Sequence, residues 1–322
     1  MMQLHYRPWT GTSHAAVWSI WPIARVALGL LLRRKLFWFL YVFALLIFLM
    51  FFFGSLFFDW AQGMLNDAPV QLGKLKVDPN RAMEFVKTQL RVLSGTRETY
   101  ATFFGLQGPM TAIVLCLSGA VLVGNDFAQG ATPFYLAKPI RRWHYLAGKF
   151  VAIGAIINLL TTVPALVLYL QQSFNDWNYL LDPDFFRANL GKGPAGLPLL
   201  AGILGCGALL TLVLGLVLLT SAAFAQRTMP IILVWSALFL FPRALSRAMV
   251  DGLRYDAHWR LLDLWNSLNL LGQAFLGFDH EETTPKPQPS FLAAAIVLGG
   301  VCVLCLILLR RRMMRLEVVR SA

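Results

Sequence analysis

The chain has 322 residues, of which 57% are hydrophobic and 14% charged, and it carries a net charge of +12. A water-soluble domain carries about 25% charged residues, so the composition excludes a purely soluble protein and points to repeated passage through a bilayer. The basic excess follows a topological pattern, described below, which removes the reason to expect nucleic-acid binding.

Residues 1–14 are polar. From 15 to 35, Trp18, Trp21, Val26 and Leu28 stand against Arg25, Arg33, Arg34 and Lys35, the pattern of a helix lying in the membrane interface. Six apolar runs follow that approach the roughly 20 residues needed to span hydrocarbon. They cover 36–58, 103–123, 150–170, 197–225, 229–241 and 291–309, the fifth being short and bracketed by Pro230 and Pro242. The expected fold is therefore an all-α polytopic membrane protein: a single transmembrane domain of six helices with an N-terminal interfacial helix.

Between the runs, 59–102 and 243–290 are the long loops. In the first, Met83, Val86, Leu90 and Leu93 recur at helical spacing and predict a helix over 81–93. The segment 171–196 is turn-rich and reads as a cap. Within the second long loop, 260–278 is too polar to span and too apolar to be free. It predicts one or two short re-entrant helices before the sixth span, with Trp259 and Trp265 at headgroup level.

Charge sets the orientation. The N-terminus, the 124–149 loop, the 226–228 turn and the C-terminus together hold fifteen basic residues against two acids, Asp126 and Glu317, or +13. The other three loops hold thirteen basic and fourteen acidic residues, or −1. The positive-inside rule then puts both termini in the cytoplasm. The expected location is the plasma membrane (the inner membrane in a Gram-negative bacterium), with multiple passes.

No charged residue falls inside the six runs. Intramembrane acids and bases mark proton relays and ion coupling, so their absence argues against a self-powered secondary transporter. Asn158, Thr161 and Thr162, next to Pro164, form a polar cluster in the third run. They read either as the lining of a translocation path or as hydrogen bonds between helices. Cys302 and Cys305 form a CxxC without further ligands nearby, so no metal site is expected. There is no GxxxxGK[ST], HExxH or GxSxG. No catalytic residue and no ATP hydrolysis by this chain are expected.

The loop at 124–149 is the most patterned polar stretch. Gly130 and Pro133 break the helix leaving the membrane, Phe134, Tyr135 and Leu136 form an apolar patch, and Pro139 ends it. Lys138, Arg141, Arg142 and Lys149 stand against one acid, Asp126. The stretch reads as a small helix or turn at the membrane surface, offered to the cytosol.

In this stretch the chain resembles the membrane subunits of ABC transporter type-2 exporters. The resemblance is carried by Asp126, Gly130-Ala131, the run from Leu136 through Pro139 and Ile140 to Arg141 and Arg142, and Tyr145-Leu146-Ala147-Gly148-Lys149. Asp126 stands where Glu is commoner, and Ala131 where Thr is commoner. The resemblance implies that the loop forms a coupling helix docking into a groove of a cytosolic ATPase. Phe134, Tyr135 and Leu136 would fill an apolar cleft with the basic residues at its rim, and Gly130 and Pro139 would bound the helix. Gly148 and Lys149 would turn the chain back into the membrane, with Lys149 snorkelling to the headgroups.

The implied partners are two copies of an ABC ATPase subunit, a second permease of the same or similar sequence and membrane lipid, with an extracytoplasmic protein as a further candidate. ATP and Mg would be bound by the ATPase, with no cofactor in this chain. The uncharged runs suit a hydrophobic or amphiphilic substrate. The alternative is a non-transporting subunit that transmits ATPase motion to envelope proteins through the outer loops.

Overall fold

The computed structural model describes residues 20–67, 71–72, 75–76, 91–128, 142–175, 179, 196–279 and 288–318. Among them, six helices are long and apolar enough to cross a membrane: Lys35–Trp60, Arg97–Phe127, Trp143–Phe174, Gly196–Ala225, Thr228–Gly252 and Phe291–Arg312. A helix satisfies its own backbone polar groups, which a lipid-exposed loop cannot do.

Ahead of them lies the helix Ile20–Leu32. It buries Ile23, Ala24, Ala27 and Leu31, an i, i+4 stripe, and exposes Trp21, Val26 and Leu30. The buried stripe packs on the third span and on the end of the second. Two residues, Arg33 and Arg34, turn the chain into the first span, with the Arg34 amide donating to Leu31 O at 2.9 Å.

The spans form two shells. More than half of the apolar core of the second, third and fourth spans is buried, against 22%, 11% and 28% for the first, fifth and sixth. The fourth span is the centre and touches the second, third, fifth and sixth. It is apolar all round, as a core helix must be. The fifth span is the least covered.

Two spans carry a break with an identifiable cause. The third is interrupted at Thr161, between Arg142–Leu160 and Thr162–Asn175. Pro164 has no N–H, so the Leu160 carbonyl loses its helical donor. Buried Gln107, on the second span, replaces it: its Nε2 donates to Leu160 O at 2.7 Å and to Ala44 O of the first span at 3.3 Å. One amide thus staples three spans at the kink.

The fifth span corrects the expectation of 229–241. The helix continues through Pro242 to Gly252, widened by π turns at Ser236–Leu240 and Ala248–Gly252. The first π turn lies where the Pro242 ring would meet the preceding carbonyl, so the chain widens there instead of stopping. The helices that carry the spans also hold charged residues beyond the six apolar runs. Arg243 and Arg247 lie on the helix of the fifth span, and Lys149 on that of the third. Apolar-run counting truncated the fifth helix because charges and a proline lowered its apparent hydropathy.

The first span continues as helix to Asp67, and the third to Asn175, beyond the limits of 58 and 170. Gln71–Leu72 and Leu75–Lys76 pair as a two-residue antiparallel ladder. The helix expected over 81–93 falls mostly outside the described residues, and its last turn, Arg91–Leu93, is a 3-10 turn. After the fifth span come a 3-10 turn, Ala257–Leu262, and the helix Leu264–Phe275, whose N-cap Asp263 accepts from the Trp265 amide at 2.9 Å.

Trp265 is buried within the helix bundle. Its ring fills the space where a Cβ on Gly108 would stand, so the absent side chain on the second span makes its seat. At this end Arg97 is also buried, with its guanidinium 4.5 Å over the Phe278 ring and donating to Gly277 O. Tyr179 donates to Gly95 O at 2.9 Å and meets the Tyr100 hydroxyl at 3.2 Å.

Candidate functional site

The second span ends in a π turn, Ala120–Gly124, and one further helical turn, Asn125–Ala128. The third begins at Arg142. These two ends are the roots of the 124–149 loop. Gly130, Phe134, Tyr135, Leu136, Pro139 and Arg141 lie outside the described residues. The structure therefore speaks to the loop's anchorage through Asp126, Tyr145, Gly148 and Lys149.

The anchorage is an ion pair. Lys149 Nζ stands 2.6 Å from Asp126 Oδ2, with the two side chains 5% and 16% exposed. The same ammonium donates to Leu122 O at 2.8 Å. Tyr145, one turn before Lys149, donates its hydroxyl to Asp126 Oδ2 at 2.8 Å. Residues four apart share a helix face, so Tyr145 and Lys149 of the third span converge on one carboxylate of the second. The Phe127 ring meets Tyr145 edge-on at 6.4 Å.

A lysine buried to this degree is tolerated only when its charge is met. Here a carboxylate and a main-chain carbonyl meet it. Losing one partner of such a pair typically costs about 3–5 kcal/mol, because the other charge is left buried. The expectation that Lys149 snorkels to the headgroups is thus corrected: a nearer anion, Asp126, holds it inside.

Gly148 has a different task from turning the chain. It lies inside the third span's helix, where a Cβ would stand 2.9 Å from Ile23 Cβ and 3.1 Å from Ile20 O. Its missing side chain lets the N-terminal helix lie directly on the third span. Gly124 does the same beside the turn between the fourth and fifth spans, where a Cβ would stand 2.6 Å from Gln226 O. Gln226 itself has φ of +58°, a left-handed conformation that lets the chain reverse within two residues. The loop's roots are therefore braced on both sides, by the N-terminal helix and by the 225–227 turn.

The polar cluster of the third span is spent within the bundle. Asn158 Nδ2 donates to Gly154 O at 2.8 Å and to Thr211 Oγ1 of the fourth span at 3.0 Å. Thr162 Oγ1 donates to Asn158 Oδ1 at 2.7 Å, and Thr161 Oγ1 to Ile157 O at 2.7 Å. Thr161 and Thr162 are buried.

Sequence reasoning brought Asp126 and Lys149 forward separately and passed over their pairing and Tyr145's part in it. The only local signal was the i, i+4 spacing of Tyr145 and Lys149. The sequence family described as ABC-2 family transporter protein matches residues 21–309, nearly the whole chain. A search of curated proteins finds no match.

Proposed function

This chain belongs to the ABC-2 family of transporter proteins, and on that premise we propose that it is the membrane half of an ATP-driven exporter. Membership makes it a multi-pass permease subunit of an ABC transporter that works with an ABC ATPase subunit. The finer reading has two ATPase copies binding ATP and Mg, two permeases of the same or similar sequence, both termini cytoplasmic, and a hydrophobic or amphiphilic substrate. In that reading the 124–149 loop is the coupling element. Closure of the ATPase dimer moves it, and the helix bundle changes between inward- and outward-accessible states by population shift.

The observation that carries the reading is the ion pair at the loop's roots. A force delivered to a loosely tethered loop is lost in the tether. A force delivered to this loop reaches the second and third spans together, because Asp126, Tyr145 and Lys149 tie them within 3 Å contacts. It also reaches the N-terminal helix across Gly148 and the 225–227 turn across Gly124.

The test is co-purification with the ATPase subunit after substituting Phe134, Tyr135 and Leu136 together by Ala. Association should fall at least tenfold while the chain stays folded in detergent. Undiminished association, with ATPase activity still coupled to transport, removes the docking assignment.

A further inference from the structure

Within the third span, the bend has the parts of a joint. Pro164 removes one main-chain bond, while the Thr161 amide still donates to Ile157 O at 2.9 Å and the Ala165 amide to Thr161 O at 3.1 Å. Thr161 Oγ1 donates to the same Ile157 carbonyl at 2.7 Å, a back-bond of the kind that bends helices. The Leu160 carbonyl is held by Gln107 of the second span, at 2.7 Å. A main-chain bond belongs to its own helix. A bond from a neighbouring span can open and close while both halves of the third span stay helical. Gln107 is 1% exposed, and its Oε1 has no hydrogen-bond partner among the described residues. An unmet amide oxygen inside the bundle raises the energy of this arrangement and brings a second one, in which the oxygen is met, within reach.

The two halves are fastened to different neighbours. The near half, Arg142–Leu160, is tied to the second span through Lys149 and Asp126 and lies against the N-terminal helix at Gly148. The far half, Thr162–Asn175, is tied to the first span, where Gln171 Nε2 donates to Ser55 Oγ at 2.8 Å and to Phe52 O at 3.2 Å. Thr162 Oγ1 donates across the bend to Asn158 Oδ1 at 2.7 Å, and Asn158 Nδ2 donates on to Thr211 Oγ1 of the fourth span at 3.0 Å. Gly207 of the fourth span leaves the room that Thr162 fills. These contacts make the pivot, and Gln107 sets the angle. The near half is about 28 Å long at 1.5 Å per residue, so a change of about 10° in the bend moves its loop end by about 5 Å.

From this arrangement we propose that the third span is a jointed lever. Movement of the 124–149 loop swings the near half about Leu160–Pro164, and Gln107 is the positioning residue that holds the bend at the angle seen here. The inference rests on the proposed function only in naming an ATPase as the driver; the joint itself belongs to this chain.

The test uses the complex of the full chain with its ATPase subunit, supplied with MgATP, in three variants: P164A, Q107L and Q107L/P164A. Q107L should raise the unfolding equilibrium constant about tenfold, the effect of one lost hydrogen bond to a buried carbonyl, and adding P164A should reduce that to about threefold or less. A purely structural Gln107 predicts that ATP turnover recovers together with stability. A joint predicts the opposite. In P164A and Q107L/P164A, both well folded, kcat for ATP should fall at least tenfold with KM within twofold of wild type, because nucleotide still binds but the lever no longer bends. A trifluoromethyl label on Val163→Cys, a position 47% exposed beside the joint, gives a direct readout by fluorine NMR, since the four native cysteines are buried. Its signal should shift or split when ATP is trapped with vanadate, and stay fixed once P164A is added. Wild-type kcat in P164A or in the double variant overturns the proposal, and so does a label signal that ignores trapped ATP. A signal that answers to trapped ATP, in a complex that exports no fluorescent amphiphile from proteoliposomes, supports the joint and counts against the exporter reading alone.

Discussion

Replacing Lys149 by Met keeps the aliphatic stem and deletes the charge, which isolates the ion pair from packing. Asp126 is then left with the Tyr145 hydroxyl at 2.8 Å as its partner in the cluster, and Leu122 O loses the ammonium. Breaking one side of a buried pair costs about 3–5 kcal/mol. A hydrogen bond to a charged group, worth about 1.5–3 kcal/mol, remains at Asp126, so the expected loss lies at the lower end, about 3 kcal/mol. D126N alone should cost a similar amount, since it strands Lys149. The double variant D126N/K149M strands neither charge and should cost at least about 1.5 kcal/mol less than the two single losses together, within the coupling range of residues in contact. Denaturant unfolding of the purified chain, followed by tryptophan fluorescence, measures all four states of the cycle. Additive losses would refute the argument, because they would mean that Asp126 and Lys149 do not sense each other. If the pair also stiffens the loop's roots, K149M should reduce transport-coupled ATPase activity more than it reduces association with the ATPase.

Gln107→Leu should cost about 1–3 kcal/mol, the price of an unmet buried carbonyl, at Leu160. In a Pro164→Ala background, where the helix supplies its own donor to Leu160, the cost should shrink by at least half in the same unfolding assay. Gly148→Val should force the N-terminal helix off the third span, seen as increased thiol labelling of Ile23→Cys, which is nearly buried in the native chain; unchanged labelling would show the contact to be soft. Burial raises the Asp263 carboxyl above its ordinary value, against the Asn266 and Trp265 amides and the attraction of Arg243 and Arg247. A raised carboxyl favours the folded state while protonated, so this contribution is full below the unfolded value of about 4 and lost as pH rises through the folded one. Stability of the wild type should therefore fall over that window relative to D263N; parallel pH profiles would count against it.

Much of the fold was legible because the bilayer asks little of a sequence. Apolar length identifies a span, and the side on which basic residues collect suggests its direction. The runs at 36–58, 197–225 and 291–309 needed no knowledge of neighbours. The fifth span was misjudged where that logic is weakest: Pro242 and Arg243 read as an end, but a π turn absorbed the proline and the helix ran on to Gly252. The seat of Trp265 was not legible for the same kind of reason. Its amphipathic ring suits an interface, yet the vacancy left by Gly108 on another helix offered it a better seat.

The 124–149 stretch shows where the division falls. Its residue types by themselves determined that it is a basic stretch between two apolar runs, with Gly130, Pro133 and Pro139 in its sequence. They could not determine that Lys149 turns inward, because a lone lysine near a helix end has water and headgroups as its default partners. Only the packing of the second span on the third brings Asp126 within 2.6 Å of it. Likewise Gln107 is one amide in an apolar run until the kink at Pro164 gives it a carbonyl to meet. Local chemistry set which segments cross the membrane; which polar groups meet inside it was decided by tertiary structure, because a buried charge or carbonyl takes the nearest partner the fold supplies.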